Sequence, residues 1–323
     1  MKKLLIVCMF IVLSTFGYAE KVMRVGLGVP ESHFEYKGME LFKKNLEEKT
    51  NKEIRVELYP SNQIGVDQEV LEQIKFGAAH MNLPDPAVLG TFVKEFQFLS
   101  FPFIFDTQEK AMEVCNGEWG DELLKKLEKA GYVGLGFGPF GFRHVTNNAR
   151  EIKSIEDFKG LKIRTMQNPL HLKVFRALGA NPTPMPFSEL FSALQQGVVD
   201  GQENPLSAVR AQKFYEVQPY LAMTNHILND QLYVIGNETL ESLPEDLQKV
   251  VKDAAAEAAQ YHTKLFVDEE ASLKDFFKQN GVKITEPNLD EFKAKMQPVY
   301  DEFIKKNGKL GQQAVEEITA AGK

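Results

Sequence analysis

Arg164 ends a short strand-like run, Leu161-Lys162-Ile163, and the chain continues through Thr165-Met166-Gln167-Asn168-Pro169 into a helical segment. A guanidinium in such a place can hold a carboxylate through two parallel, charge-assisted hydrogen bonds. In open α/β sheets, ligands collect beyond the carboxyl ends of the strands, where helix N-termini also face. The plainer reading is a surface arginine paired with a nearby acid. Arg143 lies in another strand-like run, among Phe140, Phe142 and Val145, an odd setting for an exposed charge. Asp200-Gly201-Gln202-Glu203-Asn204-Pro205 is a dense polar group placed after the strand-like Val198-Val199. It reads either as a ligand-facing cluster or as an ordinary capped helix start.

Other chemistries find less support. Gly136-Phe137-Gly138-Pro139-Phe140-Gly141 matches the dinucleotide fingerprint in letters and follows a strand. The fingerprint needs a helix next, whereas Phe142 to Thr146 reads as a strand, so a hinge or a tight strand crossing is expected instead. HExxH, G-x-S-x-G and P-loop patterns are absent. His33, His80, His144, His171, His226 and His262 are scattered without metal-ligand spacing. No metal and no cofactor is expected. Cys115 has no basic neighbour to make it a reactive thiol and reads as a small buried hydrophobe.

The elements that must position these residues alternate strand and helix. Val22 to Val29, Ile54 to Leu58, Ala79 to Leu83, Tyr132 to Phe137, Phe142 to Thr146 and Leu161 to Thr165 read as strands. Phe34 to Thr50, Asp67 to Phe76, Pro169 to Leu178 and Pro186 to Gln196 read as helices, with a short one from Ser154 to Phe158. The alternation predicts an α/β fold with mostly parallel sheets covered by helices. Between Pro244 and Gly281 there is no glycine or proline. One helix across that span is roughly 55 Å long at ~1.5 Å per residue, longer than a small domain is wide. It would form a spine shared by two domains; the alternative is two helices broken near Val267-Asp268.

Composition sets the frame. The 323 residues suit two domains of ordinary size, with 43% hydrophobic and 26% charged residues. Acidic residues outnumber basic ones, 45 to 38, which argues against a nucleic-acid partner. Lys2 and Lys3 precede the apolar run Leu4 to Phe16, and Gly17-Tyr18-Ala19 has the small residues of a cleavage site. That run is shorter than the ~20 residues a membrane-spanning helix needs. Residues 1–19 are therefore expected to be a signal peptide, cleaved after Ala19. Cys8 sits inside the apolar run, so no lipid anchor is indicated, and Cys115 is left without a disulfide partner.

Three blocks carry a resemblance. They are Gly160-Leu161-Lys162-Ile163-Arg164; Gly179-Ala180-Asn181-Pro182-Thr183-Pro184-Met185-Pro186-Phe187-Ser188-Glu189; and Ala193-Leu194-Gln195-Gln196-Gly197-Val198-Val199 running on through Asp200 to Pro205. Together they resemble the solute-binding proteins of tripartite ATP-independent periplasmic (TRAP) transporters, the DctP family. The likeness runs in order along nearly the whole chain after the signal peptide. Met223 to Tyr233 and the long helix resemble in particular the sialic-acid-binding members.

The resemblance implies a periplasmic-binding-protein-like α/β fold: two lobes, hinge strands, and a long helix spanning both. One lobe is expected near 21–140 plus 230–268, the other near 141–229 plus 269–323. It implies a periplasmic protein, most simply a monomer, that closes on a small carboxylate-bearing solute and delivers it to a membrane permease without chemistry. By the same likeness Arg164 pairs the carboxylate, with Arg143 a second arginine near it, Asn204 an amide in the grip, and Phe187 a pocket wall. Asn168, Asp85 and Asp67 are expected in the same site, the two acids on polar groups of the solute. Sialic-acid binders resemble Arg-Val-Pro-Asn-Ala where this chain has Arg164 to Asn168. They carry Glu where it has Asp85, and a further Arg where it has Val88. The bulk of Met166 and Gln167 points to a smaller acid. Two alternatives keep the scaffold: the binding module of a sensor system, or a lyase or hydrolase acting on an organic acid with His171 or His33 as its base.

Overall fold

A computed structural model describes residues 21–321. The expected signal peptide, with Lys2, Lys3 and Cys8, lies outside the described residues. The strands, in chain order, are β1 (Lys21–Gly26), β2 (Ile54–Tyr59), β3 (Met81–Asn82), β4 (Tyr132–Asn147), β5 (Lys162–Thr165), β6 (Asn181–Pro184), β7 (Gly201–Pro205), β8 (Tyr220–Ala222), β9 (Leu228–Gly236) and β10 (Lys283–Thr285). In the first sheet β1 pairs in parallel with β2 and β3, while β9 runs antiparallel between β3 and β4. In the second, β5 is parallel to β6 and β7, β7 and β8 flank β4 antiparallel, and β10 is parallel to β8. The fold is α/β with mixed sheets, in which antiparallel pairings gather around β4 and β9.

β4 belongs to both sheets. Tyr132 to Phe142 pairs with β9, and from Arg143 to Asn147 the same strand pairs with β7. The sequence reads as two strands here because the period-2 pattern is interrupted by glycines. The structure joins them into one, with register shifts between Gly134 and Gly136 and between Pro139 and Gly141. Gly136 (φ 143°) and Gly141 (φ 106°) adopt the positive φ that such bulges use, which side chains disfavour. Gly138 answers to packing: a Cβ there would stand 2.5 Å from Nδ1 of His262. The apparent fingerprint is thus a bent strand pressed against a helix.

That helix is Glu245–Gln279, unbroken, with Pro244 just before its first residue. Ala254, Ala255, Ala258 and Phe266 pack into the core of the first sheet, among Val25, Phe42 and Val56. Leu273 and Phe277 pack with Leu190, Phe214 and Leu221 near the second. Its small alanines let the helix Phe34–Lys49 come close alongside. His262 fixes the arrangement, with Nε2 against the Pro139 carbonyl (2.9 Å) and Nδ1 against the Tyr233 hydroxyl (3.1 Å). A third cluster joins Phe98 and Phe101 to Phe158 and Phe175 through Phe292, Met296 and Phe303 of the C-terminal segment. The Phe101 and Phe303 rings meet edge to face at 4.4 Å.

Two local expectations are revised. A strand was expected at Val198-Val199 with the polar residues after it; the strand is β7, Gly201–Pro205, and carries those residues itself, fully buried. Its pairing on both edges satisfies the backbone, and its side chains find polar partners, so it lacks the apolar run that marks a central strand. β6, with Pro182 and Pro184, gives no strand signal either, and it lies at a sheet edge, where proline is tolerated.

Candidate functional site

The carboxyl end of β5 places Arg164 at the wall of a cleft between the two sheets, a cavity of about 120 Å³. All seven residues singled out in the sequence, Arg164, Arg143, Asn204, Phe187, Asn168, Asp85 and Asp67, border it. Arg164 is 3% exposed. Its Nε and Nη2 donate to the Met185 carbonyl at 3.0 and 2.7 Å. Phe187, in the turn that follows β6, sets its ring 5.8 Å from the guanidinium carbon. Burial pulls the Arg164 pKa down to about 10, with Arg143 adding to the fall while Glu203 and Asp85 oppose it. The group is a buried cation whose Nη1 meets no hydrogen-bond acceptor among the described residues.

Arg143 differs. It stands where β4 changes sheets, and its donors turn inward. Nε reaches Glu203 Oε2 at 2.5 Å and Nη2 reaches Oε1 at 3.0 Å, a two-pronged pair with neither side chain exposed beyond 2%. Nη2 also meets the Glu203 carbonyl and Asn204 Oδ1, and Nη1 meets Asn229 Oδ1 (3.3 Å) with Asp85 Oδ2 at 3.6 Å. Burial would raise the Glu203 carboxyl, but Arg143 beside it, with His171 and His226, holds it well below the usual range. Arg143, expected as a second arginine near Arg164, thus borders the cleft while pairing with Glu203. It orients the groups around the cleft, Asn204 among them, whose Nδ2 in turn bonds Gln202 Oε1.

Asp85 caps the short helix Pro86–Leu89, its Oδ1 accepting from Ala87 N at 2.7 Å. Asp67, at the start of the helix Asp67–Lys75, accepts from Asn82 Nδ2 (3.2 Å) and from the Asp85 amide (3.4 Å). Burial, helped by the charge of Asp85, lifts Asp67 to about 6. Asn168 caps the helix Pro169–Ala177, with Oδ1 accepting from Leu170 N at 2.8 Å, and its Nδ2 donates across the cleft to the Ala87 carbonyl at 2.8 Å.

Sequence reasoning missed Glu35, which also borders the cleft and is 1% exposed, with Oε2 unpartnered. Burial, then the charges of Asp67 and Asp85, push its pKa well above the carboxylate range. In the sequence it looks like any acid in a first helical turn, favourable to the dipole; only tertiary burial sets it apart. The cleft is thus bordered by three carboxyl groups and two guanidinium groups, of which Arg143 is paired with Glu203. His33 accepts from the Glu35 amide as a helix cap, and His171 faces Glu203; neither borders the cleft. Among the described residues no His, Cys, Asp and Glu cluster could hold a metal, and no helix is long and apolar enough to cross a membrane.

Comparison with known proteins is consistent along the chain. Residues 25–307 match the family described as bacterial extracellular solute-binding protein, family 7 (DctP). The sialic acid-binding periplasmic protein SiaP of Vibrio cholerae is 34% identical over 94% of this chain and 93% of its own. A TRAP periplasmic solute-binding protein from Polaromonas, solved bound to D-erythronate, superposes with a TM-score of 0.89 at 33% identity, over 93% of this chain and all but 1% of its own (99%). Another, from Sulfitobacter with bound β-D-galacturonate, gives 0.90 at 28% identity, over 93% of this chain and 100% of its own.

Proposed function

Because this chain belongs to the DctP family of bacterial extracellular solute-binding proteins, we propose that its solute is a small monocarboxylic acid rich in hydroxyls, a sugar acid or hydroxy acid. The observation that carries this reading is Arg164, a buried guanidinium whose protein partner is one backbone carbonyl. A charge so placed is costly until an anion meets it. A carboxylate on its free Nη edge would supply that partner, with Asn204 alongside and Phe187 as a wall. Asp67, Asp85 and Glu35 stand where solute hydroxyls need acceptors. A second carboxylate would meet the charges of Asp67 and Asp85 as a like charge, while Glu35 is held protonated by its burial. At ~4 Å and an effective dielectric constant of ~20 that repulsion is about 4 kcal/mol, enough to disfavour dicarboxylates strongly.

Two lobes, divided near 21–140 plus 230–268 and 141–229 plus 269–323, would close on the solute. Excluding water strengthens each charged hydrogen bond. The closed form would be what a TRAP membrane permease receives, from a monomeric protein exported to the periplasm by cleavage after Ala19. SiaP and the two solved relatives lend this support through the solutes in their descriptions.

Calorimetric titration tests the reading. D-erythronate or D-galacturonate should bind, while erythritol, galactose and succinate should bind at least a hundredfold more weakly. Equal affinity for a neutral sugar would remove the role given to Arg164.

A further inference from the structure

Two Asx-Pro turns face each other across the cleft. Asp85-Pro86 opens a helix after β3 of the first sheet, and Asn168-Pro169 opens one after β5 of the second. Each Asx side chain caps its own helix through one oxygen. What remains differs: Asp85 keeps an acceptor, which lies 3.6 Å from Arg143, and Asn168 keeps a donor, which reaches the Ala87 carbonyl at 2.8 Å. That carbonyl is available because Thr91 N, its partner in a continuing helix, bonds Val88 O instead (2.9 Å). Asn168 is 1% exposed and Ala87 equally so.

We infer that Asn168 is a latch, a positioning residue that links the two walls of the cleft when it closes. This rests on the solute-binding reading and gives Asn168 a role distinct from solute contact. When the walls part, water can serve both the freed amide and the freed carbonyl, so opening carries little penalty. When they meet, the bond adds to closure without regard to which solute is enclosed. One hydrogen bond of this kind is worth a factor of about three to ten in affinity.

Asn168→Ser and Asn168→Asp test it, since both keep an oxygen to cap Leu170 N and neither keeps the amide N–H that reaches the Ala87 carbonyl: the serine hydroxyl is too short to span that gap, and a carboxylate has no donor. Stopped-flow and calorimetric titrations of wild type and variants would use D-erythronate, D-galacturonate, galactonate and glucuronate. For Asn168→Ser the expected result is a three- to tenfold loss of affinity, in the dissociation rate, by the same factor for every acid that the wild type binds. Asn168→Asp, which sets oxygen against oxygen, should lose more. The melting temperature of the unliganded variants should match wild type. Unchanged dissociation rates in Asn168→Ser overturn the latch alone, and losses that differ from acid to acid make Asn168 a solute contact instead. A wild type that takes up none of the four overturns the functional reading, and the latch with it.

Discussion

Arg164 and Arg143 are the same residue type on strands of the same sheet, yet the structure gives them opposite accounts of charge. Arg143 is matched by Glu203 at 2.5 Å, so Arg143→Ala strands a buried carboxylate and should cost about 3–5 kcal/mol of stability, read by urea unfolding. Arg164 has no carboxylate partner among the described residues, so Arg164→Ala should leave unliganded stability unchanged or higher while weakening solute binding at least about a hundredfold. Arg164→Lys should bind poorly too, because an ammonium lacks the planar fork. Loss of stability in Arg164→Ala with normal binding would reverse the two roles. Asp67 gives a pH signature. Its folded pKa of about 6 lies above the unfolded ~3.9, so the folded protein binds this proton more tightly. Its contribution to stability is present at pH 4 and lost as pH rises through 6. The stability of Asp67→Asn relative to wild type should therefore climb between those values and then level off, in denaturation curves taken pH by pH. At this scale the sequence showed Arg164, because a strand end before an Asn-Pro turn is a local pattern. It hid Glu35 and the Arg143–Glu203 pair, because burial and partners sixty residues apart leave no local trace.

Among the elements, the long helix was legible and β4 was not. A run without glycine or proline from Glu245 to Gln279 has one simple solution, and the break considered near Val267 does not occur. The glycines of β4 looked like punctuation, whereas two serve bulges and Gly138 serves the approach of His262. Gly138→Ala should drive a methyl into that ring and cost about 1–3 kcal/mol. His262→Ala in the same chain should restore part of the loss, and an additive double mutant would disprove the contact as its cause. β7 was misplaced by a few residues because a strand made of Gln, Glu and Asn imitates a loop. What keeps it a strand is the pairing of Gln202 and Glu203 with β4 and the buried partners of their side chains.

For the molecule as a whole, the order of elements and the α/β class could be read from alternation, while the mixed sheets and the bridging C-terminal segment could not. Phe303 reaches Phe98 and Phe101, and Phe292 reaches Phe158, so this segment touches elements from both sides of the cleft. Phe303→Ala should cost about 3–5 kcal/mol by thermal unfolding. A change confined to solute affinity would mean that the contact matters only in closure. Cys115, the free cysteine of the described residues, is buried, and burial together with the nearby Asp230 pushes its thiol well above the ordinary range. It is therefore a poor nucleophile toward maleimides. A cysteine introduced at exposed Ser188, beside Phe187 at the cleft's edge, would take a fluorescent dye almost alone. Such a conjugate would turn closure of the cleft into an optical signal, and the chain into a reagentless sensor for the acids it captures.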